Sequence, residues 1–164
     1  MELWNRVCHT NPSITRRVDI RGGFTTIDAQ EQLKTATMEW GPYGMKWGLK
    51  DCVFSPIIDF DMVKKERVIV EMAMDAVFYY PGGEFPISTD IAYRPGNDSR
   101  KKLMTAATTK ALSKLGFNSD VFEGKFDDNQ YVAEMNRKFN NPVPLQSNPV
   151  QRPPQQYNIP GVRR

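Results

Sequence analysis

The chain has 164 residues, enough for one domain with a real core, and carries 22 Lys and Arg against 19 Asp and Glu. No apolar run approaches the ~20 residues that span a bilayer, no basic-apolar-small leader opens the chain, and Cys8 and Cys52 make no disulfide framework. These features exclude a membrane span and a secreted disulfide scaffold, and predict a cytoplasmic protein with reduced thiols.

The formal net charge is +3, and Arg152, Arg163 and Arg164 account for all of it, because the other 19 cations balance the 19 acids. Nucleic-acid binding would therefore have to rest on local patches rather than on a global field. Near the N-terminus, Arg16, Arg17 and Arg21 flank Gly22-Gly23, a pair that lets backbone approach a phosphate closely. Asp28-Ala-Gln-Glu31 reads as a capping box, with Leu33, Ala36, Thr37 and Trp40 on one face of the helix behind it. Gly41-Pro42-Tyr43-Gly44 ends that helix. A strand is predicted over Met45 to Ile58, a hairpin loop over Asp59 to Met62, and the strongest strand of the chain over Val63 to Tyr80. Lys64, Lys65 and Arg67 border the tip of this hairpin. Pro81-Gly82-Gly83 then turns into a shorter strand near Phe85 to Tyr93.

A long helix follows the turn cluster Pro95-Gly96-Asn97-Asp98. Its apolar stripe is Met104, Ala107, Ala111 and Leu115, widened by Leu103 and Leu112, and Gly116 is placed as its left-handed C-cap. The first turn holds Arg100, Lys101 and Lys102. Three cations there oppose the helix dipole by a few tenths of a kcal/mol or more each, on the order of magnitude only, and a bound anion would reverse the sign. A solvated basic face is an equal reading of the same residues. Lys110 and Lys114 share a face further along. A last short helix is expected near Asn129 to Phe139. The fold class is α+β, an antiparallel meander covered on one face by helices.

Residues 1–139 form the expected folded domain. From Asn140 the chain holds six prolines, four glutamines and no acid, and reads as an extended tail, 140–164, with Tyr157, Ile159 and Val162 as apolar anchors for a docking motif. Catalytic constellations are sparse. His9 is the sole histidine, so multi-histidine metal sites are excluded, and a Cys8-His9 nucleophilic pair is disfavoured because sequence neighbours seldom face each other productively. No Gly-rich loop ending in Gly-Lys-Ser/Thr is present for a nucleotide. The pairs Asp59/Asp61 and Asp127/Asp128 could hold Mg²⁺ in a nuclease, against the commoner roles of turn and N-cap residues, and a non-enzymatic oligomer that binds protein rather than DNA is a further reading. Phe24, Tyr43 and Trp47 are candidates for stacking bases.

Three segments resemble the single-strand annealing proteins of the Rad-fifty-two type, especially their phage relatives. These are Arg21-Gly-Gly-Phe-Thr-Thr-Ile-Asp28, Met38-Glu-Trp-Gly-Pro-Tyr-Gly-Met-Lys-Trp-Gly48, and Thr108-Thr-Lys-Ala-Leu-Ser-Lys-Leu-Gly-Phe117 with the following Ser119 to Asp128. The last is the most specific. The resemblance covers roughly Arg16 to Val132. It implies a sheet packed on the long helix and subunits assembled in a homo-oligomeric ring. Single-stranded DNA would be held in a basic groove by its phosphates, and a complementary strand would pair with it, with no bond chemistry, nucleotide or other cofactor. It places the family's groove pair at Thr109 and Lys110, a further arginine at Ser113 beside Lys114, and a tyrosine at Thr26. Its outer lysine falls near Lys64, Lys65 or Arg67. The implied setting is recombination and repair in a bacterial host cell; the tail lies outside the resemblance, and a partner such as a host single-strand-binding protein is a separate expectation for it.

Overall fold

A computed structural model of the protein describes residues 2–19 and 23–140. It shows an α+β architecture with two antiparallel sheets. A short helix α1 (Glu2–Val7) and a 3-10 turn (Pro12–Ile14) lead into a two-stranded ribbon, β1 (Thr15–Val18) and β2 (Phe24–Ile27). Helix α2 (Ala29–Trp40) follows, then the meander of β3 (Gly48–Asp61), β4 (Glu66–Tyr80) and β5 (Gly83–Ala92), in the order β3-β4-β5. Helices α3 (Ser99–Lys114), α4 (Ser119–Phe122) and α5 (Asn129–Asn140) are the last described elements. The β1–β2 ribbon and α1 were not legible in the sequence. Arg21 and residues 141–164, with the expected tail, lie outside the described residues.

Local chemistry explains the element ends. Asp28 caps α2 by accepting from the Gln30 N–H at 2.8 Å, but Glu31 turns toward Lys34 (3.7 Å) and not back to Asp28, so only half of the expected capping box forms. Asp98 caps α3 through the Lys101 N–H at 3.1 Å. Gly116, at φ +94°, ends α3 in a Schellman turn, with Gly116 N–H bonding Ser113 O (3.1 Å) and Phe117 N–H bonding Leu112 O (3.1 Å). The hairpin turn falls at Met62 to Lys65 and not at Asp59 to Met62. Asp61 accepts from both Val63 N–H (2.9 Å) and Lys64 N–H (3.0 Å), which holds the reversal beyond it. Met45 to Trp47 belong to a turn before β3, pinned by Trp47 Nε1 donating to Gly41 O at 2.7 Å.

The core lies between the sheet and α2 and α3. Met74, Ala76 and Phe78 of β4 and Ile87 of β5 face Leu103, Ala107, Ala111 and Leu112 of α3. Trp40, Trp47 and Phe117 join them, with Trp40 ring centroids 5.7 Å from Trp47 and 5.0 Å from Phe117. Two expected core positions differ. Met104 is exposed while Thr108 is buried, so the α3 stripe is rotated by about a residue. On α2, Thr37 is exposed and Gln32 is buried, donating to Phe117 O (3.1 Å) and Ser113 Oγ (3.2 Å). Its amide nitrogen satisfies the Phe117 carbonyl just past the turn, while Gln32 Oε1 is buried without a hydrogen-bond partner among the described residues.

Candidate nucleic-acid interface

The Schellman turn after α3 swings α4 back across the end of the ribbon, and this reversal builds a surface that no single segment contains. One face of α3 carries Ala106, Thr109, Lys110, Ser113 and Lys114, a spacing of three and four residues. Phe122, at the end of α4, closes this shallow groove. Phe122 is 52% exposed and also borders an adjoining cavity of 280 Å³ lined by Phe24, Thr25, Thr26 and Val121. Thr26 in turn lines a 710 Å³ cleft with Ser13, Arg16, Asp28 and Gln30. Cross-strand pairing sets Arg16 beside Thr26 and Arg17 beside Thr25. Lys110 and Lys114 of α3, the exposed rings of Phe122 and Phe24, several hydroxyls and Arg16 thus follow one another along one strip, with the carboxylates of Asp28, Glu31 and Asp127 lining the same cavities. Cations and hydroxyls suit phosphate, and exposed rings suit bases of any identity.

The expected site residues divide into three groups. Lys110, Lys114 and Arg16 lie along this strip. Lys110 Nζ donates to the Ser88 carbonyl at 2.8 Å, which steadies its stem at the free edge of β5. Arg17 is adjacent but engaged, with its guanidinium 3.0 Å from Asp127 and 3.9 Å from Asp19, and it also lies over Gly23. Arg100, Lys101 and Lys102 stand at the opposite end of α3, where Arg100 sits 5.4 Å from the centroid of Phe54. Lys64, Lys65 and Arg67 form the far end of the β3–β4 hairpin, and all three are exposed. The ten described residues are therefore not a single site, and Arg21 lies outside the described residues.

Among the stacking candidates, Trp47 is fully buried, and the Tyr43 hydroxyl accepts from Leu49 N–H at 3.1 Å with its ring against Trp47. Phe24 remains exposed. Phe122 is the functional candidate that sequence reading missed. A phenylalanine in a helical segment is ordinarily core, and only the turn at Gly116–Asn118 shows that this one faces out.

The carboxylate pairs are occupied by local structure. Asp59 accepts from Phe60 N–H (2.7 Å), and Asp61 closes the hairpin turn, whose two N–H groups hold its carboxyl below the ordinary range. Asp127 pairs with Arg17, and Asp128 caps α5 through Gln130 N–H (2.8 Å). Among the described residues, no group of three or more His, Cys, Asp or Glu is arranged to hold a metal ion. Contrary to expectation, Cys8 Sγ does meet His9 Nδ1, at 3.2 Å, because the chain bends after α1. No hydrogen bond from a third side chain orients His9 among the described residues, so the pair lacks the support a nucleophile needs. No described helix is long and apolar enough to cross a membrane.

Comparison with known protein families finds no family model that matches the chain, and no curated protein is similar enough to count as a relative.

Proposed function

We propose that this protein binds single-stranded DNA through its phosphates and anneals complementary strands without a nucleotide, as a homo-oligomeric ring acting in recombination and repair. The observation that carries this reading is the strip from Lys110 and Lys114 through Phe122 and Phe24 to Arg16. Annealing needs a grip on the backbone that leaves base edges free. The strip offers ammonium and guanidinium groups, hydroxyls and π-faces beside the carboxylates of Asp28, Glu31 and Asp127, the last of them paired with Arg17. The sequence resemblance to Rad-fifty-two-type annealing proteins points the same way, since Thr109, Lys110 and Ser113 fall on the groove wall. In this reading the ring assembles in a bacterial host cell and the tail recruits a host single-strand-binding protein.

The test is annealing of two labelled complementary oligonucleotides with EDTA present and no nucleotide, over a salt series. Acceleration that fades with salt supports the reading. Full-length strands with no acceleration and no binding at low salt would remove it, and shortened strands on adding Mg²⁺ would favour a nuclease instead.

A further inference from the structure

Strand β5 pairs with β4 as far as Ala92 opposite Glu71, with one further bond from Tyr93 N–H to Val70 O (2.8 Å), whereas β3 and β4 stay paired out to Asp61 opposite Glu66. Beyond Val70 the sheet is thus a two-stranded arm about 13 Å long before its turn, from four residues at ~3.3 Å each. Helix α3 stops short of it, since Arg100 in its first turn lies over Phe54.

The register shift between Ile57 and Ile58 sets the phase of the arm. Strand β3 keeps its alternation through the bulge, so Ile58 and Phe60 continue the helix-side row of Phe54 and Pro56. Their cross-strand partners are Ile69 and Arg67. Ile58 is 55%, Phe60 50% and Ile69 39% exposed. The acids of the arm, Asp59, Asp61 and Glu66, fall on its other face. The helix-side face of the arm is therefore apolar and cationic, and among the described residues nothing covers it.

The opposite, outer face of the sheet body has the reverse character. Val53 (58% exposed) and Ile57 (41%) lie there among Glu71, Asp75, Glu84 and Asp90. Lys50, the one strand cation on that face, is already paired with Glu84 at 2.6 Å. The two faces complement each other in apolar character and in charge. They cannot meet within one chain, because they are opposite sides of the same sheet.

We propose that the arm of one copy packs its helix-side face, Ile58, Phe60, Ile69 and Arg67, on the outer sheet face of a second copy at Val53, Ile57, Glu71 and Asp75. Sheets stacked in this way lie about 10 Å apart with their side chains interdigitated. The contact is heterologous, so it propagates head to tail into a ring or a helical filament. Edge-to-edge strand addition is the weaker alternative, because edge strand β3 carries Pro56, edge strand β5 carries Pro86, and Lys110 occupies an edge carbonyl of β5. This inference deepens the self-assembly part of the proposed function and is independent of DNA.

Two exposed substitutions test it by mixing. Phe60→Asp spoils the arm and leaves the receiving face intact, and Val53→Lys does the reverse; circular dichroism confirms that both fold. Sedimentation velocity over a concentration series should show wild type assembling, and each variant weakened at least about tenfold in association, equivalent to about 1.4 kcal/mol. An equal mixture of the variants should form a two-subunit species and stop there, because one intact contact remains per pair. A monomeric wild type, a variant that assembles like wild type, or a mixture that stays monomeric or grows past two would overturn the proposal. Assembly as described without DNA binding would leave this contact standing and remove the annealing reading. Annealing by a chain whose Phe60→Asp variant assembles normally would do the opposite.

Discussion

The Lys110 ammonium donates to the Ser88 carbonyl at 2.8 Å, so one side chain of the α3 groove also guards the free edge of the sheet. Two roles then converge on one residue, and substitutions must separate them.

Lys114 shares the groove face one turn on. Lys114→Ala should weaken binding to unrelated single strands about equally and lower the salt slope of log K by about 0.7, the value for one phosphate contact on a single strand. Lys110→Ala should do the same and also bare the β5 edge, raising aggregation. Fluorescence anisotropy over a salt series reads the first effect, and light scattering the second. A loss restricted to one sequence would contradict a grip on the backbone.

Phe122 offers a ring and no charge. Phe122→Ala should weaken single-strand binding by about 1–3 kcal/mol if one base stacks there, with an unchanged salt slope. Because the side chain is 52% exposed, thermal stability should hardly move. An altered salt slope would show that the substitution disturbs the cations instead.

Trp4 packs against the backbone of Gly116, where any Cβ would overlap the indole. The residue is also at φ +94°, a conformation that costs an L side chain on the order of 1 kcal/mol. Gly116→Ala should therefore destabilise by roughly 2–4 kcal/mol, combining backbone strain with displacement of the ring. In a Trp4→Ala background the same change should cost only the backbone part. A double-mutant cycle by urea unfolding measures the difference.

Asp120 is buried and accepts from Thr10 N–H (2.7 Å), Thr10 Oγ1 (2.5 Å) and the Tyr131 hydroxyl (2.8 Å), tying the N-terminal segment and α5 to α4. Burial of Tyr131, together with its bond to Asp120, pushes its hydroxyl well above the ordinary tyrosine value. A raised folded-state value means the neutral phenol is favoured in the fold. The stability it contributes is thus fully present below about pH 10 and is lost as pH rises from there toward the folded value. Tyr131→Phe should flatten that alkaline loss, read as thermal midpoints between pH 8 and 11.

Removing residues 140–164 should leave annealing of naked strands largely intact if the tail only recruits a partner. An inactive truncated protein would place the tail within the annealing apparatus. Annealing rates with and without a bacterial single-strand-binding protein on the DNA read both outcomes.

Sequence alone determined what neighbouring residues decide among themselves. Asp28 and Asp98 cap helices with their own side-chain oxygens, Gly116 supplies the positive φ that ends α3, and β4 alternates between core and solvent from Met72 to Phe78. Each signal spans a few residues, so composition and spacing are enough to read it. Tertiary structure decided where such elements meet. The rotation of α3 that exposes Met104, the bulge in β4 that carries Ile69 and Arg67 onto the uncovered face of the arm, and the reversal that brings Phe122 to Lys110 and Lys114 all arise from packing between distant segments. Periodicity marks which residues share a face. It says nothing of what lies opposite, and burial against a distant partner is what fixes both the core and the groove.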